Sequence, residues 1–311
     1  MARVIRNVAL SLAITALALP FLAVAPARAQ ATRTWVSGTG DDNNNCSRTA
    51  PCKTFQGAFS KTAAGGEINC LDPGDFGQVT INFSLTISCE AGTAGIQILD
   101  VGFAISISAA ATDVVTLRGL DIDGQGTGNV GIFIGSAKAV HIEKCSIRNF
   151  RHSFGPGIHT ALSSTEFLFV EDTVLSDNTY GIVLSSSGGY KVASLKNVTI
   201  TGSTGDGLQF VGGNIYANVS ESMISGNGGS AVYVTANTTI NIDRSTIANN
   251  AIAGLHAEGS GSTIRASGNN IYNNTTGIFI ANGGTVQSDG TNKHGNSNGG
   301  AQVPNASFAE Y

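Results

Sequence analysis

Apolar and polar positions alternate along most of the chain in short runs, and the runs repeat. From about residue 114 a phrase built on a small residue and an apolar pair recurs: Gly131-Ile-Phe-Ile, Gly157-Ile-His-Thr, Gly181-Ile-Val-Leu, Gly207-Leu-Gln-Phe, Ala231-Val-Tyr-Val, Gly254-Leu-His-Ala and Gly277-Ile-Phe-Ile. The steps between them are 26, 24, 26, 24, 23 and 23 residues. Out of phase with it runs a second set of apolar anchors, Ile122, Ile147, Leu175, Ile200, Ile224, Ile247 and Ile271. Polar turns follow these anchors at Asp177-Asn178, Gly226-Asn227, Asn249-Asn250 and Asn273-Asn274. Alternation over three to five residues predicts short β-strands. Strands this short, without Asn-Gly turns at both ends, do not predict a hairpin sandwich. A fixed period with about three strands per unit predicts that each unit stacks on the next as one coil of an all-β parallel solenoid. Leucine-rich repeats share the period, but their Leu-x-x-Leu-x-Leu phrase is absent.

Stacking at the ~4.8 Å strand spacing superposes equivalent side chains. Ile122 to Ile271 then form an internal aliphatic column. Asn178, Asn227, Asn250 and Asn274 form an amide column, interrupted by Ser203, whose members bond along the axis as amide ladders do. The Asn-x-Ser/Thr sequences at Asn218, Asn237 and Asn274 read as turn chemistry. Upstream, Ile68-x-Cys70, Ile87-x-Cys89 and Ile105-x-Ile107 recur at 19 and 18 residues and predict shorter first coils. A solenoid needs its apolar ends covered. Pro51 to Lys61, with Phe55, Ala58, Phe59 and Thr62 at helical spacing and Pro51 suited to a first turn, predicts a short N-terminal capping helix beside a strand at Trp35-Val36.

Four segments follow: 1–29, 30–66 (strand and cap), 67–284 (β-helix) and 285–311, where the apolar phrase fades into a loose tail. Residues 1–29 read as a signal peptide, with Arg3 and Arg6 before an apolar run and an Ala27-Arg28-Ala29 cleavage site. No later stretch reaches the roughly 18 apolar residues of a membrane span. Losing three Arg and no acid takes the net charge from −4 to −7. The expected location is therefore extracellular or periplasmic, where disulfides persist. Cys46 and Cys52 bracket a short loop, and Cys70 lies beneath Cys89 in matching strands, so both pairs are expected to be bonded; the alternative is four buried thiols. Cys145 points inward as a small core residue, and the spacings do not match a zinc site.

Charged residues are only 12% of the chain and Gly is 40 of 311. This excludes disorder driven by charge, a coiled coil, and the strict third-residue Gly of collagen. The acidic balance argues against a nucleic-acid partner. The chain is expected to be a monomer.

The opening TWVSGTGDD…CSRTAPCKTFQGAFSKTAAGGEINCLDPGDFG, followed by coils such as INIDRSTIANNAIAGLHAEG, resembles secreted right-handed parallel β-helix repeat proteins of the pectin-lyase-like superfamily. The resemblance spans about 35–285 and implies a single-stranded right-handed parallel β-helix. It does not imply one activity, because members include lyases, hydrolases, epimerases and non-catalytic binding or adhesive proteins. The Asn-Thr-Asp, Asp-Asp, Gly-His-Gly and Arg-Ile-Lys phrases of the polygalacturonase-like hydrolases are absent. GLDIDGQG at 119–126 resembles a turn of those enzymes with no catalytic weight.

Three sets of side chains are candidates for chemistry. The first is the charged column Arg118, Glu143, Glu171, Lys196, Ser220, Asp243, beside Gly119, Lys144, Asp172, Asn197, Glu221, Arg244. Glu143, Glu171 and Asp172 could serve a calcium ion, as pectate lyases do with clustered carboxylates. The other reading is a solvated charge ladder with no cofactor, since each acid has a cation beside it. The second set is the middle residue of the glycine phrase: Phe133, His159, Val183, Gln209, Tyr233, His256 and Phe279. Its neighbours point inward, so it should face solvent. Rings stack on the apolar faces of sugars while imidazole and amide take hydroxyls, which suits a polysaccharide or cell-surface glycan; the alternative is plain β-propensity. The third set is the rim holding His159, Asp177 and Asp206, with Arg151, His152, Phe154 and Tyr180 nearby, the candidate catalytic group of a polysaccharide lyase or hydrolase. A purely structural or adhesive role is the remaining reading.

Overall fold

The computed structural model describes residues 30–89, 94–98, 101–161, 166–235, 237–295 and 302–309, and the signal-peptide segment 1–29 lies outside these. The described chain from Ala31 on is a parallel β-solenoid of three sheets with twelve, nine and ten strands among the described residues. Every strand pair is parallel, and each partner comes from the equivalent place in the next coil. The register follows the repeat. Ile132, Ile158, Ile182, Leu208, Val232, Leu255 and Ile278 stack in the nine-stranded sheet and are at most 1% exposed. Ile122 to Ile271 stack in the ten-stranded sheet in the same way. Each such side chain contributes about 1.5–3 kcal/mol by burial, so the ladder of aliphatics holds the coils in register.

Two corners depend on left-handed backbone. Between the twelve- and ten-stranded sheets the chain turns through Gly119, Lys144, Asp172, Asn197, Glu221, Arg244 and Gly268, all at positive φ. After the ten-stranded sheet, Asp177, Gly226, Asn249 and Asn273 do the same. Each Asn-containing dipeptide thus divides two tasks. Its first residue takes the left-handed conformation that Asn, Asp and Gly tolerate, and its second turns an amide inward. Asn227 Nδ2 donates to Asn250 Oδ1 at 3.0 Å and Asn250 Nδ2 to Asn274 Oδ1 at 2.8 Å. The same oxygens accept the backbone N–H of the preceding coil, at 3.2 Å to Asn227 and 3.0 Å to Asn250. At the interruption, Ser203 N still donates to Asn227 Oδ1 at 3.0 Å, but its hydroxyl is buried without a partner. A second internal polar column, Ser222, Ser245, Asn269 and Asn292, satisfies the other corner.

The first coils differ from expectation. Ile68 does pair with Ile87, but Ile87 next pairs with Leu117, whereas Ile105 and Ile107 belong to the nine-stranded sheet. An Ile-x-Ile alternation occurs in every sheet of a solenoid, so spacing alone does not say which sheet a strand joins. Cys70 and Cys89 are bonded across the first of these pairs, with Cα atoms 4.9 Å apart, and Cys46 is bonded to Cys52 at 4.7 Å. Cys145 is a buried thiol whose pKa is pushed up to about 11 by burial.

The cap is smaller than its sequence pattern. The helix spans Phe55–Phe59, and Pro51 stands in the preceding disulfide loop instead of the first turn. Asp42 explains the late start: its carboxylate accepts from Lys53 N, Thr54 N and Thr54 Oγ1 at 2.8, 2.9 and 2.7 Å, fixing Thr54 as N-cap. Phe55, Ala58 and Phe59 are buried, with Phe55 against Phe76 and Phe59 stacked on Phe83. At the other end the solenoid continues past residue 284. Thr285–Ser288 extends the twelve-stranded sheet, Lys293–Gly295 the ten-stranded sheet, and Ala306–Ser307 pairs with Gln287 and Ser288. Gln302 closes the last edge of the nine-stranded sheet, its N–H donating to Ile278 O and its Oε1 accepting from Ile280 N.

Candidate functional site

The nine-stranded sheet holds the row of rings. Thr80, Ser106, Phe133, His159, Val183, Gln209, Tyr233, His256 and Phe279 are consecutive register partners. All alternate with buried neighbours, so all point away from the core. They are half-buried more often than open, because neighbouring rings cover one another. Phe103 stacks on Phe133 with centroids 4.8 Å apart, Phe133 meets His159 at 5.6 Å, and Phe154 from a loop meets His159 edge-on at 4.9 Å. Tyr233, His256 and Phe279 continue the row at 4.6 Å each. Val183 breaks it, being short and only 2% exposed.

Among the described residues no hydrogen bond or ion pair joins His159 to Asp177 or Asp206. His159 sits among Phe133 and Phe154, and burial drives its imidazole down to about 4, so it is neutral at pH 7. Asp177 is turned to Arg151, 3.1 Å away, and its side chain is 56% exposed. Asp206 faces the following coil: it accepts from Ser230 N at 2.6 Å and from Gln209 Nε2 at 3.4 Å. The acids expected near His159 thus have other partners, Arg151 for Asp177, and Ser230 with Gln209 for Asp206.

The structure builds a different group around Tyr233. Its hydroxyl donates to Glu258 Oε2 at 2.7 Å, and Asn282 Nδ2 donates to Glu258 Oε1 at 3.1 Å. His256 lies between: Nδ1 is 3.3 Å from Ser230 Oγ, while Nε2 is buried, unpartnered, and 3.9 Å from Glu258. The environments push the acids apart. Tyr233 lowers Glu258 by its hydrogen bond, whereas burial raises Asp206, opposed by the bond from Ser230. Burial first, then Glu258 and Asp206, push the phenol up to about 12. Burial also lowers His256 against the pull of Glu258. Glu258 was legible in principle: it stands two residues after His256 and shares its outward parity.

The charged column lies on the twelve-stranded sheet, in the expected register from Arg118 through Glu143, Glu171, Lys196 and Ser220 to Asp243. Arg118 holds Glu143 through Nε at 2.9 Å and Nη2 at 2.7 Å, Asn197 donates to Asp172 at 2.7 Å, and Arg244 bridges Asp243 at 2.7 Å. The neighbouring column is the left-handed corner itself, so Lys144, Asp172, Glu221 and Arg244 serve the turn. Among the described residues no group of three or more His, Cys, Asp or Glu side chains converges as metal ligands.

Two overlapping stretches, residues 82–215 and 156–310, match the family model of the right handed beta helix region and together cover more than half of the chain. The chain belongs to the right-handed β-helix family. This β-helix also resembles solved structures at the level of fold. It is similar to pectate lyase Pel9A, with 14% identity, 88% of this chain and 79% of that chain covered, and a TM-score of 0.65. It is similar to the Dettilon tailspike protein (gp208), with 13% identity, 85% and 62% covered, and a TM-score of 0.52; the β-helix thus spans less than two thirds of that tailspike. No curated protein sequence shows significant similarity to it.

Proposed function

We propose that this β-helix binds a polysaccharide chain along the outer face of its nine-stranded sheet, outside the cytoplasm. The observation that carries the reading is the in-register row of outward rings from Phe133 to Phe279, extended at one end by Phe103. Aromatic faces supply large rigid contact area, and Gln209 and the imidazoles supply hydrogen bonds at the rung spacing. A fold neighbour named for polysaccharide chemistry, a pectate lyase, is consistent with it. Export is supported by two disulfides. Affinity electrophoresis against neutral and acidic polysaccharides, with and without calcium, tests it. Retardation is expected with some member of the panel, and Tyr233→Ala with Phe279→Ala should weaken it about tenfold or more, two ring contacts being worth roughly 1–3 kcal/mol. Migration unchanged by every glycan would sink the proposal.

One observation favours a second reading, cleavage of a glycosidic bond. Asp206 and Glu258 flank Tyr233 with pKa values pushed in opposite directions, the pattern of an acid and a base. It predicts release of new reducing ends, lost in Tyr233→Phe and in Glu258→Gln; their absence across the panel leaves binding as the whole function.

A further inference from the structure

The three sheets carry their charges very unequally. The nine strands at Val79–Ile81, Phe103–Ser108, Val130–Ser136, Pro156–Ala161, Tyr180–Ser186, Leu208–Gly212, Val232–Val234, Ala253–Glu258 and Thr276–Ala281 contain no Lys and no Arg. The twelve-stranded sheet carries Arg33, Arg118, Lys191, Lys196 and Arg265 in its strands. Among the described residues the acidic groups on the ring-bearing face are Glu258 in a strand and Asp206 at a strand entrance. The two imidazoles in the row are held in their neutral form by burial. The cation at the nearby rim, Arg151, is engaged by Asp177. The end of the row next to the cap opens into a cleft of about 550 Å³ whose polar lining is uncharged: Gln56, Gln78, Thr80 and Ser106, beside Phe103. Ser106 is the register partner of Phe133 and Thr80 that of Ser106, so cleft and row form one surface.

A polyanion needs cations to offset the cost of leaving water, and interfaces that recognise charged chains supply them in complementary positions. Among the described residues, a uronate or sulfate chain laid on the strands of this face would meet two carboxylates and no ammonium or guanidinium, the nearest, Arg151 at the rim, being paired with Asp177. A neutral chain would meet rings for its apolar faces and amides, hydroxyls and neutral imidazoles for its hydroxyl groups, and brings no charge of its own to desolvate. We infer that the ligand of this face is an uncharged polysaccharide, and that the face rejects acidic ones. The inference rests on the binding proposal and narrows it. It also separates this protein chemically from a pectate lyase, whose named substrate is an acidic chain. Eliminative cleavage, which relies on a carboxyl group to acidify the adjacent C–H, is then not the chemistry of the Tyr233 group.

The test is affinity electrophoresis of the purified protein at pH 7 in galactomannan, mixed-linkage β-glucan, dextran, polygalacturonate and alginate, each at 0.05 and 0.5 M NaCl. Retardation is expected with at least one neutral glycan and should change less than twofold with salt. Binding to either polyuronate should be at least about tenfold weaker than to that neutral glycan. Val211, 37% exposed on the same sheet, offers a positive control. Val211→Lys should gain salt-sensitive retardation by polygalacturonate, because an added cation acts only while the ionic atmosphere leaves it unscreened. Strong, salt-sensitive binding of the native protein to a polyuronate would overturn the inference while leaving polysaccharide binding standing. Retardation by none of the five would overturn both.

Discussion

The nine- and twelve-stranded sheets are built on the same inward ladder yet present opposite chemistry to solvent. Both carry aromatic pairs: Phe103 on Phe133 and Tyr233 on His256 in one, His141 on Phe169 and Tyr190 on Tyr216 in the other. Aromatic content therefore does not distinguish them. What differs is continuity and charge. In the twelve-stranded sheet the outward column holds His141 and Phe169 between Thr116 on one side and Ser194, Asn218, Asn241 and Arg265 on the other, and the charged column runs beside it. In the nine-stranded sheet rings stand on both sides of the Val183–Gln209 gap, and its strands hold no Lys or Arg among the described residues. A face suited to an extended ligand is recognised by the length over which one chemistry persists.

The largest expected effects show what the two sheets share. Ile182→Ala behind the ring face and Ile142→Ala behind the charged face, both fully buried, should each cost about 2–5 kcal/mol in chemical denaturation. A large disparity would mean the sheets do not share one cooperative core. Next comes the contrast in binding. Tyr233→Ala with Phe279→Ala should lower glycan affinity about tenfold or more, whereas Phe169→Ala with Tyr216→Ala should leave it within twofold; equal losses would erase the distinction between the faces. A smaller effect separates them by pH. The His159 imidazole titrates near 6.5 when unfolded but near 4 when folded. It therefore contributes stability that is full above about pH 6.5 and is lost as pH falls through about 4. The unfolding temperature should drop between pH 7 and 4.5, and His159→Phe should shrink that drop relative to a His141→Phe control. Smallest is the ion pair of the charged face. Arg118→Ala removes a partly exposed bridge to Glu143 and should cost no more than about 1 kcal/mol, less at 0.5 M salt.

Much of this contrast was legible before any coordinates. Gly181 marks an inward position because a Cβ there would lie 2.4 Å from Gly207 O and 2.5 Å from Ile200 Cγ2, and the recurrence of such residues set the phase for the ring row and the charged column alike. Other features depend on information a repeat does not contain. The sheet joined by Ile105 and Ile107 follows from where the chain bends, and alternation is blind to that. The two-coil separation of His159 from Asp206 follows from the repeat, but the partners that occupy Asp177 and Asp206, Arg151 and Ser230, depend on loop hydrogen bonds that the repeat does not describe. Val183 shares the outward parity of its column, yet its burial depends on surrounding side chains that periodicity does not describe. Glu258 was readable from parity, but it lies outside the glycine phrase that directed attention to its neighbour.

The left-handed corner gives this architecture an unusual form of modularity. Since the twelve- and ten-stranded sheets meet through only one or two residues per coil, that corner has little slack for insertions, and length changes most readily by whole coils or at the looser bends. Six rung intervals separate Phe133 from Phe279, roughly 29 Å at the strand spacing. Excising one coil would bring the terminal rings about 5 Å closer and leave the remaining ladder intact, so the reach of the surface is metered in discrete steps that duplication or deletion of a coil adjusts one notch at a time.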